Sequence, residues 1–412
     1  MSITPAARIS ATVVAVSAVA APPTSAARLS SAVVRSGWLS SVRFGLGSVL
    51  AFRVAAEAFV LLGLYGSSAV RVILADPGAM ARPWAQWDAQ WQLAIAQSGF
   101  RAWKEIPQGT HVLSSAAFQP LLPGVMHVAA LATGTSVLVA GLIVVSVALA
   151  LAAVGLHRLV AVDYGAGAAR LSVLLLLVFP TAIFLGAPYA EPVVLAEVVW
   201  AFVAVRSGRP LLAGVLVGLA TVTKLYSIVF AVPLAVEALA MTAPAARARV
   251  AVLARVAVGP ALGAAGLAVF YWMVFGDPLR FLRAQQDWVG RHFAAPWVAL
   301  GNAVNPLPTL GINDAAGVLD LICVAVVAVA AVYAWRRLRR SYAVLLAVQL
   351  AVFTSTTSLV GTSRWTLDAF PLFIAGGVLA ARHRGLRILL VAVSLPAAGL
   401  FAWTYSHGGW AG

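Results

Sequence analysis

The chain has 412 residues, 62% of them hydrophobic and only 10% charged, with a net charge of +15. Soluble domains are near half apolar and about a quarter charged, so this composition excludes a soluble fold, which would have no polar surface to present to water. The positive charge does not point to nucleic acid, because the basic residues sit in short clusters between apolar runs, as orientation signals do.

Residues 1–43 are rich in Ala, Ser and Val and contain Pro22 and Pro23. The run Ala11 to Ala21 is too weak to span, and Arg28, Arg35 and Arg43 follow it instead of preceding it as in a signal peptide. We expect a disordered cytoplasmic tail here, followed by a single transmembrane domain over 44–405. A membrane helix needs about 20 mostly apolar residues. Segments near 46–68, 136–157, 171–188, 191–205, 210–223, 225–241, 256–275, 317–335, 342–360, 366–381 and 387–405 qualify, some of them short. The expected fold class is an all-α polytopic membrane protein with about eleven transmembrane helices. In the first segment Arg53 and Glu57 are four apart and share a helix face, as a mutually neutralising pair would. The single Cys323 lies in an apolar run, which rules out a disulfide framework and a thiolate metal site and suits a small packing residue.

With the N-terminus inside and each segment crossing once, 18 of the 28 basic residues fall in inside segments, nine outside, and Arg53 within the first span. This is the bias of a cytoplasmic N-terminus and an outward C-terminus. The prevalence of Ala, Val, Leu and Arg, with just two lysines, suggests a GC-rich bacterial genome, and with it a bacterial plasma membrane. Residues 119–133 are apolar enough to span, but counting them would reverse every loop downstream. They are assigned to a helix lying at or partly in the outer interface.

Two large outer loops remain, 69–135 and 276–316. They carry Asp76, Asp88, Glu105, Asp277, Asp287 and Asp314, whereas the inside loops have Asp163 and little else. Trp84, Trp87, Trp91, Trp103, Trp288 and Trp297 share these loops. An interfacial aromatic belt accounts for part of that clustering, but not for carboxylates interleaved with tryptophan at fixed spacing. In 84–100, WAQWDAQWQLAIAQSGF, Trp87, Asp88 and Trp91 fall within one helical turn or at its mouth. Asp88 reads either as a helix N-cap or as a carboxylate at the membrane edge, where partial desolvation raises basicity and a proton can be taken from an incoming hydroxyl. The flanking indoles Trp87 and Trp91 would pack on a sugar or a lipid chain.

Other polar residues stand out against the apolar background. Glu191 lies at the outer end of a span, where an ionisable group is costly unless paired or facing a wet cavity. It reads as a snorkelling loop residue or as a ligand-positioning one. Lys224 sits between two spans with no acidic neighbour in sequence, and a cation there suits a lipid phosphate. Arg280 and Arg364 are rival phosphate contacts, Arg364 alternatively being an interfacial anchor. His111 and His127 lack metal-ligand spacing with other His, Cys or acidic groups. Neither a metal nor a cofactor is expected.

WDAQWQLAIAQSGF resembles the WD-x-x-W/Y…IA-x-x-G-Y motif of PIG-V-type mannosyltransferases. FQPLLPGVMHVAALATG from Phe118, FPTAIFLGAPYAEPVVL from Phe179, GDPLRFLRAQQDW from Gly276 and SRWTLDAFPLF from Ser363 agree in order and spacing. Such proteins are similar to GT-C glycosyltransferases, so the resemblance implies a polyprenyl-phosphate sugar as donor, with mannose as the sugar, a lipid or glycan acceptor, and an acidic catalytic base in the first outer loop. That role falls on Asp88. Two departures put donor identity in doubt: Gln92 stands where relatives often have Tyr, and Lys224 where they often have Arg, losing the planar fork that grips phosphate. The resemblance thus implies a membrane mannosyltransferase acting on the extracytoplasmic face with inversion. A transporter or lipid-linked-sugar flippase is the competing class, but such proteins carry internal repeats and midplane polar sites, and neither is evident here. A relative that has lost activity is a third possibility.

Overall fold

In hydrocarbon, a backbone N–H or C=O finds a partner only within its own segment, so each apolar run is driven into a helix. The computed structural model describes residues 31–103, 106–108, 111–303 and 314–410, and is nearly all helical. Helix α1 (Ser31–Tyr65) leads into α2 (Ala69–Ala75). The expected tail is therefore helical from Ser31 onward, while residues 1–30 lie outside the described residues. The first large loop carries α3 (Asp88–Ser98), a short antiparallel hairpin of β1 (Ile106–Gln108) and β2 (His111–Leu113) in which Ile106 faces Leu113, and α4 (Leu121–Thr133). The segment assigned to an interfacial helix is thus α4, which packs on α3 and α5.

Then follow α5 (Val137–Tyr164), α6 (Ala166–Leu177), α7 (Glu191–Arg206), α8 (Pro210–Thr223), α9 (Ala231–Ala240) and α10 (Ala246–Phe275). The second loop holds α11 (Arg280–Val289) and α12 (Pro296–Asn302). The chain closes with α13 (Asp314–Arg337), α14 (Arg340–Thr354), α15 (Thr362–Trp365), α16 (Phe370–Arg382) and α17 (Arg384–Ser406). Helices α8 and α10 touch backbone to backbone: a Cβ on Gly218 would lie 2.5 Å from Gly259 O, so glycine at 214, 218, 259 and 263 sets the approach.

Every segment expected to span is helical over most of its length, but among the described residues five helices are by themselves long and apolar enough to cross a membrane: Gly37–Ala75, Val137–Tyr164, Ala246–Phe275, Gly317–Arg337 and Arg384–Ser406. The others are cut short. Helix α6 stops at Leu177, α14 at Thr354, and a 3-10 stretch Leu225–Phe230 separates α8 from α9. Irregular backbone at membrane depth is tolerated only where protein buries it or where it lines a cavity, and these breaks gather at one end of the bundle around one cavity.

At the opposite end a different cluster ties the helices. Arg206 bonds Asp163 (2.8 Å), Glu237 (2.7 Å) and Tyr342 OH (2.7 Å), while Arg339 bonds both Asp163 and Glu237. Loops assigned to opposite faces by charge counting thus fall at opposite ends of the bundle. Arg53 and Glu57 do share a face, but they meet through Trp84 and not directly. The Arg53 guanidinium stacks 4.7 Å from the Trp84 ring and donates to Gly186 O, while Glu57 accepts from Trp84 Nε1 at 2.8 Å.

Candidate active site

The cavity at the first end has a volume of about 660 Å³. Four broken or terminal segments build its polar wall. Asp88 is the first residue of α3, and the helix-capping reading of it fails: the N-cap position is Trp87 and no side chain caps the helix. Asp88 Oδ2 instead accepts from Arg364 Nη1 at 2.6 Å, and Oδ1 has no partner among the described residues. The side chain keeps 26% of its surface exposed, in the cavity wall.

Arg364 is carried on the single turn α15, which is pinned from two sides. Ser363 N–H donates to Asp320 Oδ1 at 2.7 Å, and Ser363 O accepts from Thr181 Oγ1 at 3.0 Å. Arg364 Nε lies 3.0 Å from Glu191 Oε1. Glu191 opens α7, where a carboxylate meets the positive end of the helix dipole, and its Oε1 also accepts from Lys224 Nζ at 2.9 Å. Lys224 sits in extended conformation at the α8 break and lies 3.4 Å from Asp368 Oδ2, which also accepts from Tyr226 OH. The result is one chain of alternating charge, Asp88–Arg364–Glu191–Lys224–Asp368. Its inner members are closely buried, so each charge depends on its neighbours for compensation.

Of the residues singled out from sequence, Asp88, Glu191, Lys224 and Arg364 come together in this wall. Trp87 and Trp91 stand behind it and do not line the cavity. Trp91 stacks on Phe118, whose ring does line it, at 5.9 Å. Arg280 is outside the lining and bonds Asp287 on its own helix at 2.9 Å. Glu105 lies outside the described residues. Lys224, without an acid near it in sequence, has two in space.

The cation that sequence reading missed is Arg291, just after α11. It lines the cavity, stacks 4.5 Å from the Trp365 ring and donates to Val360 O, with Nε buried and unbonded. No carboxylate among the described residues lies in ion-pair reach of it. Burial, and then the like charge of Arg364, push its guanidinium down to about 10, so it is cationic at neutral pH yet under-compensated. Asp368 and Tyr226 were also missed, although each stands within four residues of a residue that was singled out. Further unbonded polar atoms belong to cavity-lining residues: Gln92 Oε1 as an acceptor, Trp365 Nε1 and Trp410 Nε1 as donors. Much of the rest of the lining is apolar, including Leu225, Ile228, Phe281, Leu282 and Val352. Among the described residues no group of three His, Cys, Asp or Glu side chains is placed to hold a metal ion.

One backbone feature belongs to the site. Trp87 has φ 53 and ψ −122, the positive φ found at no other non-glycine residue among those described. For a bulky side chain such a conformation costs on the order of 1–3 kcal/mol and persists only where the surroundings impose it.

No protein-family model matches the chain, and no curated protein matches it. Solved structures are similar at low identity. ArnT from Cupriavidus metallidurans bound to undecaprenyl phosphate aligns at 14% identity and TM-score 0.45, over 88% of this chain and 76% of that one. The Archaeoglobus fulgidus oligosaccharyltransferase in its apo form aligns at 12% identity and TM-score 0.42 over 88% of this chain. AglB from the same organism, in complex with an inhibitory peptide and a dolichol-phosphate, aligns at 13% identity and TM-score 0.40. The chain spans 56% of the length of each of these two oligosaccharyltransferase chains.

Proposed function

We propose that the protein is a GT-C-type membrane glycosyltransferase that moves a sugar, mannose by the motif resemblance, from a polyprenyl-phosphate donor to a hydroxyl of a lipid or glycan acceptor. The observation that carries the reading is Asp88: a carboxylate with one oxygen held by Arg364 and the other open, in the wall of a cavity with both polar and apolar sides. The unbonded atoms around it match such a donor. Gln92 Oε1 can accept from a sugar hydroxyl, the N–H groups of Trp365 and Trp410 can donate to oxygen, and Arg291 supplies a cation whose Nε is unbonded and which has no carboxylate in ion-pair reach among the described residues. The apolar lining suits the first isoprene units.

In this reading Asp88 is the general base of a single displacement. The acceptor oxygen bonds the anomeric carbon as its proton passes to Asp88. The carbon–oxygen bond to phosphate breaks with its electron pair, and the polyprenyl phosphate leaves as a stable anion that needs no acid. One carboxylate is therefore enough, unlike the pair of a glycoside hydrolase, and configuration inverts. Arg364 fixes the carboxylate's orientation, and Arg291 steadies the leaving phosphate.

Membranes containing the protein and purified polyprenyl-phosphate mannose carrying labelled sugar are expected to transfer label to an endogenous acceptor. Transfer from GDP-mannose that persists when polyprenyl-phosphate mannose synthesis is blocked would overturn the donor assignment.

A further inference from the structure

Helix α17 ends in a pair of nested turns. Gly408 takes φ +80, its N–H bonds Tyr405 O at 3.0 Å, and Gly409 N–H bonds Thr404 O at 2.8 Å. This is the Schellman arrangement that reverses the chain after a helix. A Cβ on Gly409 would come within 2.6 Å of Thr404 Cγ2, so the reversal needs glycine there. It returns Trp410 to the cavity wall, with the Arg364 guanidinium 5.7 Å from its ring and its Nε1 unbonded.

The same turn grips the loop that carries Asp88. Gly409 O accepts from Trp87 Nε1 at 3.0 Å, and the Trp410 ring meets Trp87 edge-on at 5.2 Å and 78°. Among the described residues, these are the hydrogen bond and ring contact of the Trp87 side chain. Nearby, Tyr405 OH donates to Trp84 O at 3.0 Å, and Tyr189 OH to Gln86 O at 3.1 Å. The strained Trp87 residue, from which α3 starts, is thus held through its own side chain by the backbone carbonyl of Gly409, 322 positions away, and by the Trp410 ring.

We infer that the 408–410 turn is a positioning clamp for the base: it holds Trp87 in the conformation that aims Asp88 into the cavity, and it offers the Trp410 indole N–H to a polar oxygen of the bound ligand. The ligand half rests on the glycosyl-transfer reading; the clamp half does not.

Hydrogen–deuterium exchange of the full chain in detergent tests the clamp, and steady-state transfer tests the ligand contact. Trp410→Ala is expected to speed exchange in 84–90 by at least about tenfold with the other helices unchanged, and to lower kcat about tenfold or more by misplacing Asp88. Trp410→Phe keeps the ring and loses the N–H, so its exchange should match wild type while KM for the donor rises ~3- to 10-fold at constant kcat. Trp87→Phe removes the bond to Gly409 O and serves in place of the alanine variant if that one does not fold; its 84–90 exchange should also rise. Wild-type exchange in a folded Trp410→Ala protein, or in Trp87→Phe where the alanine variant does not fold, overturns the clamp, and an unchanged KM in Trp410→Phe overturns the ligand contact. A wild-type protein that transfers no sugar removes the transferase reading and the ligand half with it, and leaves exchange to decide the clamp.

Discussion

Helix α7 runs between two buried charge networks, Glu191 in one and Arg206 in the other, roughly 22 Å apart at the helical rise. Both are made of acids and cations drawn from distant helices, yet they end differently. At the Arg206 end, two guanidiniums face two carboxylates and every carboxylate oxygen is bonded: Asp163 by Arg206 and Arg339, Glu237 by the same pair and by Ser341. None of these residues lines the cavity. At the Glu191 end, among the described residues, Asp88 Oδ1 is open, Arg291 has no carboxylate in ion-pair reach, and the Trp365 and Trp410 indole N–H groups lack acceptors. A fully satisfied buried network specifies a fold, whereas an incompletely satisfied one beside a cavity costs stability and calls for a ligand to complete it. Charge inside a membrane is a weak guide to function until the bonds of each atom are counted.

The division can be broken most directly at Asp88. Asp88→Asn keeps size and hydrogen-bonding reach but cannot take a proton, so transfer should fall by about 10²- to 10⁴-fold with expression and insertion unchanged. Radiolabel transfer per mole of purified protein is the measurement, and near-wild-type turnover would move the base elsewhere. The complementary change, Arg206→Met, leaves Asp163 and Glu237 to share Arg339. Removing one member of a buried ion network costs about 3–5 kcal/mol, so the thermal midpoint and the yield of folded protein should drop sharply. Turnover per folded molecule should stay within about twofold, since the altered site is at the far end of the bundle from the cavity. A folded Arg206→Met protein that has lost turnover would show that the two ends are not independent.

The smallest contrast separates two arginines of the second loop. Arg291→Gln removes the under-compensated cation and should raise KM for the donor about 10- to 100-fold, the range of a charge-assisted hydrogen bond, with kcat changed far less. Arg280→Gln breaks a pair outside the cavity with a partly exposed Asp287 and should alter KM by less than about twofold. The reverse ranking in a donor titration would restore Arg280 as the phosphate contact and remove Arg291.

The amino-acid sequence by itself determined that this is a polytopic helical membrane protein and roughly where its apolar segments lie. Both follow from local hydrophobicity and from the need of each segment to satisfy its own backbone in hydrocarbon. It also exposed Asp88, Glu191, Lys224 and Arg364, since a charge beside an apolar run is conspicuous. Tertiary structure alone decided how those charges pair: Arg364 reaches Asp88 across 276 positions, and Lys224 has two carboxylates that no sequence neighbourhood hints at. It also decided where α6 and α14 stop and where a 3-10 stretch parts α8 from α9, with the breaks gathered around the cavity. Arg291 lines the cavity where Arg280 does not, and Trp410 joins the wall behind a Gly-Gly turn, for one physical reason. Whether a polar atom is satisfied depends on ångström-scale contacts between helices remote in sequence, and neither composition nor periodicity encodes those contacts.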